Sequence, residues 1–455
     1  MNASIFREYD IRGVVETDLT PDVVENIGKA FGSRVIKGGG KTVAVGRDIR
    51  LTGESLTASL SKGLLSTGCD IVDVGQVPTP LLYFAHYHLE VDAGIMITGS
   101  HNPPEYNGFK LLINKQSVHG EAIQSLMQDI LKGEFAKGEG VRTEAEVIDS
   151  YMEMVKSKVT LNREIMVVID SANGCGGLVA PELFKAMGCD VLELFSDPDG
   201  TFPNHHPDPT VEENMFDLKR IVRESGAELG IGYDGDADRI GIVDNEGNQL
   251  HGDQILMVFA KDLLSRQSGS KVIFDVKCSK NLPEYVEKYG GVPIMSATGH
   301  SIIKQRLLDE KAELAGEMSA HIFFNEDYYG FDDAIFATAK FLSIVDREDI
   351  PVSEFLSEVP AMESTPEIRI DCPDDVKFEI VKELVEYYRA KYSVIDIDGV
   401  RMEFGNGWGL IRASNTQPVL VLRFEAETEE QLERYKNEVF EKLITFDSLK
   451  NLESF

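Results

Sequence analysis

The sequence predicts an α/β protein in which three related domains precede a strand-rich α+β domain. One observation is a recurring unit: an apolar strand, a polar loop of small residues, then a helical pattern. It occurs where residues 41–46 run into Arg47-Asp48, where 165–169 run into Asp170-Ser171-Ala172-Asn173-Gly174, and where 271–274 run into Asp275-Val276-Lys277-Cys278-Ser279. Recurrence at about a hundred residues exceeds solenoid periods, so the repeated unit is a domain. A second observation is length: 455 residues suit roughly three or four domains. A third is that the last stretch, from about residue 364, lacks the unit and reads as short strands and two helices.

The elements follow in order. In a first domain, expected over 1–145, the strand at 41–46 leads to a helix containing Ser55-Leu56-Thr57-Ala58-Ser59-Leu60 and Leu64-Leu65. The apolar strand Ala93-Gly94-Ile95-Met96-Ile97 then enters Thr98-Gly99-Ser100-His101-Asn102-Pro103-Pro104-Glu105-Tyr106-Asn107-Gly108-Phe109-Lys110. Its Asn-Pro, Pro-Pro and Asn-Gly pairs predict turns rather than regular structure. A second domain, 146–250, closes on a strand-turn-strand over 239–249 that turns at Asn245-Glu246-Gly247-Asn248. A third, 251–363, gives way to a linker at 360–366. In the fourth, 364–455, Glu367-Ile368-Arg369-Ile370 alternates as a strand, and 375–392 is a helix with Ile380, Val381, Leu384 and Tyr387 on one face. Residues 394–404 form a hairpin turning at Asp398-Gly399, and 418–424 a strand. Thr428 and Gln431 make a capping box that opens a closing helix.

Composition excludes some functions. A formal net charge of −32 argues against non-specific binding to nucleic acid or to an anionic membrane, and it demands a locally basic cleft for any anionic substrate. No apolar run approaches about 18 residues, so no membrane span is expected. Cys69, Cys175, Cys189, Cys278 and Cys372 are odd in number, widely spaced and without a CxxC pair, which favours a reducing compartment. With no apolar signal region before Asp10, a cytoplasmic location is expected.

Four loops carry chemistry. Ser100 stands at a strand end beside His101 and ahead of Lys110, a nucleophile with proton-handling and cationic neighbours. Tyr233-Asp234-Gly235-Asp236-Ala237-Asp238-Arg239 places three carboxylates at alternate positions, able to converge on one hard cation. An EF-hand fails, because Arg239 takes the glycine position and Asn245 the glutamate position; a solvated acidic turn is the plain alternative. In Gly316-Glu317-Met318-Ser319-Ala320-His321, alternating polar groups fall on one side of an extended loop, suited to vicinal sugar hydroxyls. The stretch Gly409 to Pro418 offers Arg412, Ser414, Asn415 and Thr416, the charged fork and small donors that a phosphate needs. Arg12, Arg47, Lys277, His300 and Lys304 are further loop cations, and His205 and His206 read as a structural turn.

Taken together and in this order, with residues 6–13 and Asp208-Pro209-Thr210-Val211-Glu212-Glu213-Asn214, these loops resemble the α-D-phosphohexomutase superfamily, and within it the bacterial phosphomannomutase/phosphoglucomutase group. The resemblance implies three related mixed-sheet α/β domains plus a C-terminal α+β domain around a central cleft. It implies that Ser100 carries the transferable phosphoryl group and completes a Mg²⁺ shell with Asp234, Asp236 and Asp238. It places Glu317 and Ser319 on the sugar hydroxyls, and Arg412, Ser414, Asn415 and Thr416 on the distal phosphate. Tyr9, Arg12, His101, Lys110, Arg239, Lys277, His300 and His321 fall on cleft positions, with His101 or Lys110 as the general base by adjacency. One departure is Ala320, where the family carries glycine.

The activity implied is interconversion of 1-phospho and 6-phospho hexoses, with glucose 1,6-bisphosphate or mannose 1,6-bisphosphate as activator and intermediate. The fourth domain is expected to close over ligand, and the partner is a small phosphosugar bound by a monomer. Alternatives are a phosphoglucosamine mutase, a metal-dependent sugar phosphatase using the same serine, and a non-catalytic phosphosugar-binding protein.

Overall fold

A computed structural model describes residues 2–415 and 417–449. Among them, four sheets follow one another along the chain. The first holds β1 (Ile11–Val14), β2 (Thr42–Arg47), β3 (Asp70–Gln76), β4 (Ala93–Ile97), β5 (Tyr106–Ile113), β6 (Gln116–Ser117) and β7 (Arg142–Glu144). The second holds β8 (Met166–Asp170), β9 (Asp190–Leu194), β10 (Leu229–Tyr233), β11 (Ile240–Asp244) and β12 (Gln249–Leu250). The third holds β13 (Lys271–Asp275), β14 (Val292–Ser296), β15 (Leu314–Gly316) and β16 (Ile322–Phe324).

These three sheets repeat one pattern. β2 lies between parallel neighbours β3 and β4, β8 between β9 and β10, and β13 between β14 and β15. Then β4, β10 and β15 each turn back into an antiparallel partner, β5, β11 and β16. The recurring unit of the sequence is the β2, β8 and β13 strand. All-buried apolar runs such as Ala93–Ile97 and Leu229–Tyr233 fit strands covered on both faces. The fourth sheet, β17 (Glu363–Ser364), β18 (Ile368–Asp371), β19 (Ser393–Ile395), β20 (Val400–Glu403), β21 (Gly407–Ala413) and β22 (Val419–Ala426), is antiparallel throughout. Helices Lys377–Arg389 and Glu429–Leu443 cover it, and Thr428 caps the second by accepting from the Gln431 N–H.

One apolar core runs from Leu81 and Phe84 through Tyr151 and Ile169 to Phe331 and Phe336, so the first three domains share it. The fourth has its own, around Leu384, Leu422 and Phe424. No helix among the described residues is long and apolar enough to cross a membrane.

Three local expectations are corrected. Asn107-Gly108 is not a turn: both residues and Lys110 lie in β5, paired with Gly13 and Arg12 of β1 for the first two. The glycine serves close approach, since a Cβ there would lie 2.2 Å from Ile11 O, while the Asn107 amide donates to Thr52 Oγ1 at 3.0 Å. On the helix over 377–389, Tyr388 is buried in the place expected of Tyr387, four residues after Leu384, and Tyr387 is exposed. Within the expected linker, Glu363–Ser364 pairs with β22 as a strand.

Candidate active site

The three loops that follow β4, β10 and β15 converge on one cleft, each at the same point of its sheet. Each also contains a non-glycine residue in the left-handed region: Ser100 at φ 48°, Ala237 at 56° and Ala320 at 66°. Such backbone costs about 1–2 kcal/mol per residue and persists where surrounding structure imposes it.

The serine and aspartate loops face each other at hydrogen-bond distance. Ser100 Oγ donates to Asp234 Oδ2 at 2.7 Å, and His101 Nδ1 lies 3.2 Å from Ser100 Oγ. Gly235 is needed for this approach, because a Cβ there would stand 2.5 Å from Ser100 O. Asp234, Asp236 and Asp238 are fully buried and can present one oxygen each within 4.8 Å of one another. Lys110, reaching in from β5, is their counter-charge: its Nζ donates to Asp236 Oδ2 at 2.7 Å and to Asp238 Oδ2. Asp236 Oδ2 also receives Thr79 Oγ1 at 2.5 Å.

One ammonium does not balance three carboxylates. Burial, then Asp238 and Asp236, push the Asp234 carboxyl well above its ordinary range. Burial acts the same way on Asp236, but the Lys110 ammonium outweighs it and holds that group below. Lys110 is driven well above its usual value by Asp236 and Asp238 despite burial, and stays charged. Asp236 Oδ1 and Asp238 Oδ1 have no hydrogen bond among the described residues. Excess buried negative charge with open hard oxygens is a donor set that fits a divalent cation such as Mg²⁺.

Arginines and imidazoles line the rest. Arg12 donates to Gly99 O and Asn102 Oδ1, both at 2.9 Å, and pairs with Asp10 at 2.9 Å. Arg239 donates through Nε to His321 Nε2 at 3.1 Å, with Asp208 at 3.9 Å from its Nη1. His321 Nδ1 lies 3.1 Å from Asp332, which also pairs with Lys304 at 3.0 Å and faces His300 at 3.5 Å. The His300 and His321 rings stack at 5.5 Å. Desolvation, then Arg239 and Arg12, hold His101 well below its usual value; desolvation and Lys304 do so for His300.

The loop at 317–321 is a tight hairpin turn, not an extended strip. Glu317 N–H donates to His321 O at 3.0 Å and Ala320 N–H to Glu317 O at 2.9 Å, because Gly316 and Ile322 are already paired across β15 and β16. Ser319 therefore sits at the bend, half-buried, and the buried Glu317 carboxylate accepts from Gly299 N–H at 2.7 Å. Ala320 occupies a left-handed position, the backbone region that favours glycine.

A second cluster forms where the first, third and fourth domains meet. Arg412 pairs with Asp398 at 3.0 Å, Lys277 with Glu367 at 2.9 Å, and Asn415 Nδ2 donates to Tyr9 Oη at 2.9 Å. Ser414 Oγ accepts from Gln417 N–H at 3.1 Å, and buried Lys377 donates to Ser414 O at 2.5 Å and Gln417 O at 2.9 Å. Thr416 lies outside the described residues.

The structure thus brings Ser100, His101, Lys110, Arg12, Arg239, the three aspartates, Glu317 and His321 together, with Tyr9, Lys277, Arg412, Ser414 and Asn415 opposite and His300 between. Sequence reasoning missed Asp332, Asp398, Thr79, Asp48 and Lys377. Only Asp48 carried a signal, its place after the recurring strand. His205 Nε2 pairs with Asp170 at 3.1 Å, in keeping with a structural turn.

Comparison with known proteins agrees. Residues 3–137, 149–247 and 251–362 match the phosphoglucomutase/phosphomannomutase alpha/beta/alpha domains I, II and III. Residues 367–442 match the C-terminal domain of the same family. A phosphomannomutase/phosphoglucomutase of Pseudomonas aeruginosa is 46% identical over 98% of this chain and 96% of its own. A phosphoglucomutase of Neisseria gonorrhoeae is 44% identical over 95% of each. The crystal structure of a phosphoglucomutase/phosphomannomutase family protein from Burkholderia thailandensis superposes with a TM-score of 0.90 at 42% identity, covering 96% of each chain. The chain belongs to the phosphoglucomutase/phosphomannomutase family.

Proposed function

We propose that the protein interconverts mannose 1-phosphate and mannose 6-phosphate, and the corresponding glucose phosphates, through a phosphoserine at Ser100 and a bound 1,6-bisphosphate. The observation that carries this reading is the pairing of two sites across one cleft. Ser100 lies 2.7 Å from Asp234 with Lys110 on the neighbouring aspartates, and Arg412, Lys277 and Asn415 gather phosphate-type donors in a second cluster. Relatives named for both substrates support the sugar assignment.

The chain's residues divide the work. Arg412, Lys277, Ser414 and Asn415 hold one phosphate while the opposite hydroxyl meets phosphoserine 100. The sugar oxygen attacks phosphorus, the bond between Ser100 Oγ and phosphorus breaks, and the bisphosphate turns end for end before Ser100 Oγ takes the other group back. Asp234, Asp236, Asp238 and a phosphoserine oxygen would hold Mg²⁺, which supplies charge neutralisation on the transferring group. Lys110 and Arg239 supply fixed positive charge beside it. Lys110, locked between two carboxylates, serves as a cation and not as a base. His101 lies on the serine oxygen and handles its proton. His321, oriented by Asp332, has the base-and-orienter geometry for the sugar hydroxyl once Arg239 turns to a phosphate. One chain supplies all four loops, so a monomer suffices.

The test is conversion of mannose 1-phosphate in Mg²⁺ with a trace of glucose 1,6-bisphosphate, following mannose 6-phosphate and free phosphate together. The 6-phosphate should form without phosphate release and vanish in Ser100→Ala. Free phosphate and mannose without any mannose 6-phosphate would make the protein a phosphatase.

A further inference from the structure

Arg50 is a charged side chain that the reaction scheme does not use, and it is fully buried. It occupies an equivalent place to Lys277. At the carboxyl ends of β2, β8 and β13 alike, an aspartate accepts from the backbone N–H two residues on: Asp48 from Arg50 at 3.0 Å, Asp170 from Ala172 at 2.9 Å, Asp275 from Lys277 at 3.2 Å. In the third domain that position points a lysine at the distal-phosphate cluster. In the first domain its arginine lies under the serine loop instead.

Every N–H of the guanidinium has an acceptor. Nη2 donates to Ser100 O at 2.7 Å and Asn102 O at 2.5 Å, Nη1 to Pro103 O at 2.6 Å and Tyr106 O at 2.9 Å, and Nε to Asp48 Oδ2 at 3.2 Å. Asp48 Oδ2 in turn accepts from Gly99 N–H at 3.0 Å, and Thr98 Oγ1 lies 2.8 Å from it and 3.1 Å from Asp236 Oδ2. The fit admits no side chain at position 99, where a Cβ would stand 2.4 Å from Arg50 Cζ. From the second domain, the Phe202 ring covers the guanidinium at 5.2 Å. The residue so gripped, Ser100, is the one with left-handed backbone.

We infer that Arg50 is a positioning residue, holding the serine loop in the strained conformation that aims Ser100 Oγ at Asp234. It touches neither substrate nor the reacting atoms; it fixes four carbonyls around them. A lysine carries the charge but cannot reach four divergent carbonyls and a carboxylate at once. The kinetic consequence rests on the phosphoserine mutase reading, whereas the structural one does not.

The test uses the full chain with Arg50→Lys and Arg50→Gln, reading amide hydrogen exchange by mass spectrometry and steady-state kinetics on mannose 1-phosphate. Exchange in the segment 98–106 should quicken by about tenfold or more, with the rest of the chain at parental rates. Turnover should fall about 100-fold, as misplacement of a reacting group by an ångström does, and KM should stay within about threefold because the distal phosphate site is untouched. Parental exchange in 98–106, or a KM that rises in step with the loss of turnover, would overturn the assignment. So would faster exchange throughout the first domain in both variants, which would make Arg50 a residue that stabilises the fold. If the parent shows no mutase turnover, the mutase reading fails and the exchange result alone decides.

Discussion

Lys110 shows how charge is arranged at the level of single residues. Its ammonium lies among three buried carboxylates, and taking it away leaves them uncompensated. Breaking a buried ion pair costs about 3–5 kcal/mol. Lys110→Met should therefore lower the apparent unfolding midpoint sharply in a chelator, and saturating Mg²⁺ should narrow the gap to the parent because a divalent cation restores the balance. An equal gap with and without Mg²⁺ would show that the aspartates do not hold the metal. Ser100 and the aspartates were legible in the sequence because their motifs are local: alternate carboxylates and a strand-end serine declare themselves within a dozen residues. Asp332, which approaches His321 from eleven positions away, and Lys377, which donates to Ser414 O from 37 residues before it, act through tertiary approach and leave no local mark.

Elements were read best where apolar runs are long. The strands around 41–47, 93–97, 166–170 and 271–275 and the helix at 53–65 appear where the periodicity put them. Turn chemistry misled at Asn107-Gly108, where the pairing of β1 with β5 overrides the local preference for a turn. The helices Pro21–Lys37 and Gly53–Leu65 depend on glycine for their contact: a Cβ on Gly63 would lie 2.1 Å from Glu25 O, and one on Gly28 2.4 Å from Leu60 O. Backbone cannot yield there as a side chain can. Gly63→Ala should cost about 1–3 kcal/mol by overpacking and lower the urea midpoint. A parental midpoint would mean that the helices slide apart without penalty.

For the whole molecule, three domains share one core and the fourth is joined by polar contacts and a small apolar one at Val276, Trp408 and Leu410. Arg401 of β20 donates to Val276 O at 2.7 Å and Cys278 O at 2.8 Å, tying the Lys277 loop to the fourth domain. Across the cleft, Tyr9 is a latch: its hydroxyl donates to Thr298 O at 2.7 Å and accepts from Asn415, while burial pushes its pKa up to about 12. The fourth domain is expected to close over ligand, and the Asn415–Tyr9 hydrogen bond is one contact that joins it to the first. Tyr9→Phe removes both hydrogen bonds, each worth about 1 kcal/mol. The ligand-free radius of gyration of that variant should exceed the parent's in solution scattering, and substrate should bring it back. An unchanged radius would mean that other contacts hold the domain. No one-dimensional pattern could show this contact, since Tyr9 and Asn415 lie 406 residues apart.

The path of the phosphorus tests the central claim most directly. Ser100 would be loaded with ³²P from labelled glucose 1,6-bisphosphate, the excess removed, and unlabelled mannose 1-phosphate added in Mg²⁺. A single-residue donor facing a distal phosphate site predicts label leaving the protein for mannose bisphosphate and then mannose 6-phosphate, with none in Ser100→Ala. Label released only as inorganic phosphate, or never bound to Ser100, would contradict it.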